Sequence, residues 1–281
     1  LLRNWSVKKE TGDEVLLAYS WSPYKAEVAL KANLGPSGYC YQPDLLTLPD
    51  HPDGPDYLER IRFEEIDRLG ASAHRKLLTD GVDAISLKQK EEYAKFLLSL
   101  EARRPEVLAQ IRTSGVADIK RQLDGDSEIK DALTKIDTNE TPAQFYEKNL
   151  GSIEVETVQA VVEYLTADSR GFPAAMNSHW GIKKFSGNLS LVLSDRPLIR
   201  HGASGNENSF WAMPLSPDQL LLLAPSKRLF HLLMSQEPGE LLRKANISSV
   251  GNRDQYVFGT SWTEHGWLKK LFEKRDQNAD R

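Results

Sequence analysis

The spacing of apolar residues changes period twice along this chain, and that order constrains the fold more than any single motif. Near the start, and again from about residue 185, apolar residues recur at every second position; through the middle they recur at steps of three and four. A period of two buries one face of a strand, and steps of three and four bury one face of a helix. A chain of βαβ units would alternate the two, whereas this one segregates them. The expected class is therefore α+β, with a mostly antiparallel sheet from the N- and C-terminal strands packed against a central helical block. One domain is expected over 1–281, with its sheet portion in 1–32 and 185–260 and its helical portion in 56–166.

Local signals fill in this outline. RNWSVKKETGDEVLLAYSW reads as a hairpin: Trp5 and Val7 alternate with polar neighbours, Thr11–Glu14 is the turn, and Val15–Tyr19 is the return strand. Residues 33–56 are rich in Pro, Gly and Asp and read as a long ordered loop with a floppy tip near His51–Pro55. Asp56 is placed to cap a helix to about Leu78, with Phe63, Ile66, Gly70, Ala73 and Leu77 in one stripe and Gly81 as its stop. Ser86 starts the next helix, which runs through Leu97 and Leu100. The stretch 113–137 is polar. Thr141, Pro142 and Gln144 make a capping-box start, and Val155, Val158, Val162 and Leu165 mark a further helix. Leu189, Leu191 and Leu193 then alternate with Ser190, Val192 and Ser194 as a strand. Phe210–Leu215 and Leu220–Leu223 make a hairpin, Tyr256–Phe258 a last strand, and Gly266–Lys274 an amphipathic final helix before a frayed QNADR end.

Composition narrows the function classes. The net charge of −4 argues against a generally basic, nucleic-acid-coating surface, while leaving local patches open. No apolar run approaches the roughly 20 residues that span a bilayer. The single cysteine, Cys40, cannot form an internal disulfide and reads as a small buried hydrophobe, which fits a reducing, cytoplasmic setting. Neither phosphate-cradling glycine motif, nor a His pair at metal spacing, nor a GxSxG elbow occurs. Pro43-Asp44 and Pro55-Asp56 lack the following acidic-x-Lys triplet of a restriction-type nuclease. The sequence names no metal, cofactor or partner.

The informative residues are charges that interrupt apolar patterns. Leu97, Leu100, Arg104, Leu108 and Ile111 follow helical steps, which puts Arg104 in an apolar stripe just before Pro105, a residue that kinks or restarts a helix. A guanidinium there must be paired or must snorkel to water. Asp67 lies at the edge of its own stripe, as an exposed carboxylate, a neighbour of arginines on its helix, or a partner for Arg104 across a helix pair. Asp195 and Arg196 end an apolar strand just before Pro197. Asp195 either folds back on the local backbone as an Asx-turn or is presented with Arg196 to a cleft. In MNSHWGIKKF, Asn177 and His179 are further polar candidates for binding a substrate, and Trp180 is expected to pack on the sheet.

Five segments in this order, LLRNWS, FEEIDRLGASAHRKLL, FLLSLEARRPEVL, LVLSDRPLI and MPLSPDQLLLL, resemble the domain-of-unknown-function family 4238 over nearly the whole chain. Proteins of that family usually carry a His-Tyr-Val-Pro-like stretch just before the LRN segment, so the resemblance implies a chain truncated at its N-terminus. It implies no activity, but it picks out Asp67, Arg104 and the segment around Asp195 again. Two functions follow as expectations. In one, these charges form a polar network in a non-catalytic binding or sensing module. In the other, Asp67 and Asp195 act catalytically in a metal-assisted hydrolase of a phosphate-containing substrate, with Arg104 and Arg196 holding the phosphoryl oxygens.

Overall fold

Leu2–Trp5 form a 3-10 turn that seats the indole of Trp5 in the interior and leads into β1 (Ser6–Lys8), which pairs with β2 (Glu14–Ser22) across the predicted turn. This is a computed structural model, and it describes residues 1–9, 11–22, 24–25, 27–39, 42–136, 138–187, 190–203, 206–261 and 265–279. The chain divides into two compact units. One comprises 1–42, 70–94 and 173–281, and the other 43–69 and 95–172.

In the first unit, β2 also pairs with β3 (Glu27–Lys31). The remaining strands come late: β4 (His179–Lys184), β5 (Leu193–Ser194), β6 (Ile199–His201), β7 (Phe210–Ser216), β8 (Gln219–Ala224) and β9 (Tyr256–Gly259). They form two sheets. One has the order β1-β2-β9-β5, with β3 also on β2; the other has the order β4-β8-β7-β6. Every ladder among the described residues is antiparallel, and the class is α+β. β7 and β8 turn tightly about Pro217-Asp218, as the sequence predicts.

Helices α1 (Glu64–Asp80) and α2 (Leu87–Ala102) each contribute to both units. Gly81, at φ 83°, ends the first in a backbone conformation that suits glycine. α3 (Pro105–Gln110), α4 (Val116–Gly125), α5 (Ser127–Lys135), α6 (Pro142–Asn149) and α7 (Ile153–Glu163) belong to the second unit. Thr141 and Gln144 close the predicted capping box of α6. The second unit's core gathers Leu58, Phe63, Leu108, Ile111, Val155, Val158 and Val162. α8 (Gly171–Met176), α9 (Lys227–Ser235), α10 (Pro238–Asn252) and α11 (His265–Ala279) complete the chain. In the first unit, α9 and α10 supply Leu233, Leu241, Leu242 and Ala245 to a core with β7 and β8. α11 buries Leu268 and Phe272 among Leu17, Tyr19, Val250 and Val257.

Several expectations are corrected. The helix expected from Asp56 opens instead with a π-helical turn, Leu58–Phe63. The strand read over 189–193 shrinks to Leu193–Ser194, and Leu189 lies outside the described residues. The alternation misleads because Leu191, Val192 and Leu193 are all buried, so there is no exposed face. Their backbone is bonded by other means. Leu191 N–H donates to Pro217 O, and Trp5 Nε1 donates to Leu191 O. The amide of Asn246 accepts from Val192 N–H and donates to Ser190 O. The tip at His51–Pro55 is packed: His51 is buried, stacks on Tyr57 at 3.8 Å, and accepts from Asp53 N–H through Nδ1. The final helix runs on through Ala279. Cys40 and the last two residues of QNADR lie outside the described residues. Among the described residues no helix is long and apolar enough to cross a membrane.

Candidate functional site

Asp67 sits on α1 and does find an arginine at the end of the next helix, but it is Arg103, just past Ala102, rather than Arg104. Arg103 Nη1 and Nη2 donate to Oδ2 and Oδ1 at 2.8 and 2.7 Å, a two-pronged charge-assisted pair. Arg103 also donates to Ser99 O and Oγ, and its guanidinium lies 4.8 Å above the Phe63 ring. The reason for the one-residue error is Pro105. It forces Arg104 to ψ 133°, so α2 ends at Ala102 and the helical register that seemed to carry Arg104 into a stripe is broken there. Arg104 becomes the residue before α3. Its guanidinium is clamped locally, donating to Glu106 through Nε at 2.7 Å and to Glu101 through Nη1 at 3.2 Å.

Asp195 makes no local Asx-turn; its carboxylate reaches a distant segment instead. Its Oδ1 accepts from Asp254 N–H at 2.8 Å, and its Oδ2 accepts from Gln255 and Tyr256 N–H at 2.6 and 2.8 Å. Three successive amides entering β9 are thus held by one carboxylate some sixty residues earlier in the chain. Asp195 N–H returns a bond to Tyr256 O, Arg196 Nη2 pairs with Asp254 at 3.0 Å, and Asn252 Nδ2 donates to Arg196 O and Leu198 O. Asp67 and Arg104 therefore find their partners in the second unit, and Asp195 and Arg196 find theirs in the first. Asn177 and His179 are exposed, and His179 opens β4 with its ring 5.7 Å from that of Phe230. Trp180 is buried and donates from Nε1 to Ala175 O.

A buried histidine escaped the sequence reading. His74, on the inner face of α1, is 6% exposed. Asn4 Nδ2 donates to Leu215 O at 2.7 Å and contacts His74 Nε2 at 3.1 Å. A carbonyl only accepts, so the amide group facing Leu215 must be the NH₂, and Nε2 of His74 must be an acceptor. The ring proton then lies on Nδ1 and is donated to the Tyr93 hydroxyl at 2.9 Å. Burial pulls the His74 pKa down to about 4, in keeping with this neutral tautomer, and pushes that of Tyr93 up. The Tyr93 ring meets Trp180 edge-on, and Lys90 Nζ lies 5.1 Å over that indole while donating to Met176 O and Ser178 O. Burial lowers the Lys90 pKa.

The sequence model of the family described as protein of unknown function (DUF4238) matches residues 1–262. The chain belongs to that family. No curated protein and no solved structure matches it. In this DUF4238 member, the segments that carried the resemblance supply Asn4, His74, Arg103, Asp195 and Leu215, so they are segments of intramolecular hydrogen bonding. Among its described residues, no group of three or more His, Cys, Asp or Glu side chains is placed to hold a metal ion. Two signals could have found what was missed. His74 follows Gly70 by one helical turn, beside the apolar stripe, and Arg103, the residue after α2, follows Ser99 by one turn.

Proposed function

We propose that this DUF4238 protein is a soluble, cytoplasmic, non-catalytic binding module in which Asp67, Arg104, Asp195 and Arg196 do structural work. The observation that carries the reading is the occupancy of Asp195: three of its roughly four lone-pair positions accept backbone N–H groups. A carboxylate so engaged has little capacity left to act as a base or to ligate a cation. The fork between Asp67 and Arg103 engages the other proposed catalytic carboxylate in the same way. The cytoplasmic setting is supported by one cysteine in 281 residues.

The competing reading is metal-assisted hydrolysis of a phosphate-containing substrate by Asp67 and Asp195. Asp195→Asn separates the two. Under the structural reading an amide N–H₂ meets amides that need an acceptor, at a cost of about 2–4 kcal/mol. The melting temperature falls by roughly 5–10 °C. A variant that melts with the wild type, or a Mg²⁺- or Mn²⁺-dependent turnover of nucleotides by the wild type that Asp195→Asn abolishes, overturns the proposal.

A further inference from the structure

The charges that interrupt apolar patterns are spent on internal bonds, so the groups with capacity left for a ligand lie elsewhere. One set of them gathers at one end of the four-stranded sheet. His201 pairs across the ladder with Phe210, and His179 pairs with Ala224. Carrying the Trp211–Leu223 register one residue further sets Phe210 beside Ala224, so His201, Phe210, Ala224 and His179 form one row on one face. The His201 ring stacks on Phe210 at 5.1 Å, and Phe230 of α9 lies against His179 at 5.7 Å. α9 starts three residues after Ala224, which brings Lys227 and Arg228 to the same end. Both histidines and both cations are exposed, and among the described residues none of these four side chains has a hydrogen-bond or ion-pair partner. Against them stands Glu207, exposed on the loop joining β6 to β7.

We propose that this end of the sheet binds single-stranded nucleic acid. Exposed rings backed by half-buried phenylalanines offer flat faces on which unpaired bases stack, and two unpaired cations beside them suit a phosphate backbone. An acidic peptide would use the cations but not the rings, and a duplex offers no open base faces to stack. The negative overall charge keeps the rest of the surface from competing for the strand. The inference rests on the reading of the chain as a binding module. The two fail separately, because melting of Asp195→Asn decides that reading and oligonucleotide titration decides this one.

The test is fluorescence anisotropy of a labelled oligouridylate of about twelve nucleotides with the full chain over a range of salt. Binding is expected to saturate, to weaken as salt rises, and to fall at least about tenfold in Lys227→Glu/Arg228→Glu. It should fall roughly fivefold in His179→Ala/His201→Ala. Heparin, a polyanion without bases, is the control, and its binding should respond to the charge reversals alone. Absence of oligonucleotide binding at low salt overturns the proposal. So does binding that both double variants leave unchanged, or histidine variants that weaken heparin as much as oligouridylate.

Discussion

At the scale of single residues, burial makes His74 a pH-dependent weak point. Its folded-state pKa of about 4 lies below the ordinary value near 6.5, so between these values the unfolded chain binds the proton and the folded chain resists it. The stability held above pH 6.5 is lost as the pH falls toward 4, amounting to about 2 kcal/mol between pH 7 and pH 5. Protonation would also set an N–H on Nε2 against the Asn4 amide, whose orientation is fixed by Leu215 O. Urea midpoints should show this: His74→Gln is less stable at pH 7 but loses less on going to pH 5. An equal loss in both proteins removes His74 as the cause. The place of His74 one helical turn after Gly70 was a mark of burial in the sequence, but nothing local connects the ring to Asn4 or Tyr93, so its bonding was not legible there. Asp195 was legible as important but not in its role, since its acceptor work involves amides at 254–256 that no local pattern connects to it.

At the scale of elements, the helices were well marked by their ends. Thr141 and Gln144 cap α6, Gly81 stops α1, and Ser86 with Gln89 opens α2. What failed was extrapolation of a period through a proline, which moved the pairing of Asp67 from Arg103 to Arg104. Double-mutant cycles distinguish the two arginines directly. The two-pronged contact predicts a coupling of about 1–2 kcal/mol between Asp67→Asn and Arg103→Met. Between Asp67→Asn and Arg104→Met it predicts coupling near zero, within about 0.5 kcal/mol, because Arg104 is held by Glu101 and Glu106. Equal couplings would mean that the fork does not persist in solution. The strands were harder to read where both faces are buried. The segment at 190–192 is held by Asn246, Trp5 and a loop carbonyl, so neither alternation nor a ladder describes it.

At the scale of the molecule, the segregation of strands to both ends of the chain has a kinetic consequence. β2 pairs with β9, so residue 17 meets residue 259, and the first unit closes only after some of the longest loops the chain can form. The second unit draws on 43–69 and 95–172, and its core joins Leu58 and Phe63 to Leu108 and Val158, separations well below that between residues 17 and 259. Local contacts form faster than distant strand pairings, and a chain of this length commonly folds through intermediates. All six tryptophans, at positions 5, 21, 180, 211, 262 and 267, fall in the segments of the first unit. Tryptophan fluorescence therefore reports that unit alone, while helical circular dichroism reports both. After dilution from denaturant, the helical signal should recover a substantial part of its amplitude before the fluorescence does. The fluorescence phase should be the slower by at least about tenfold. Coincident phases would mean that the sheets and the helical unit form in one cooperative step, and that the division of the chain into two units has no counterpart in its folding.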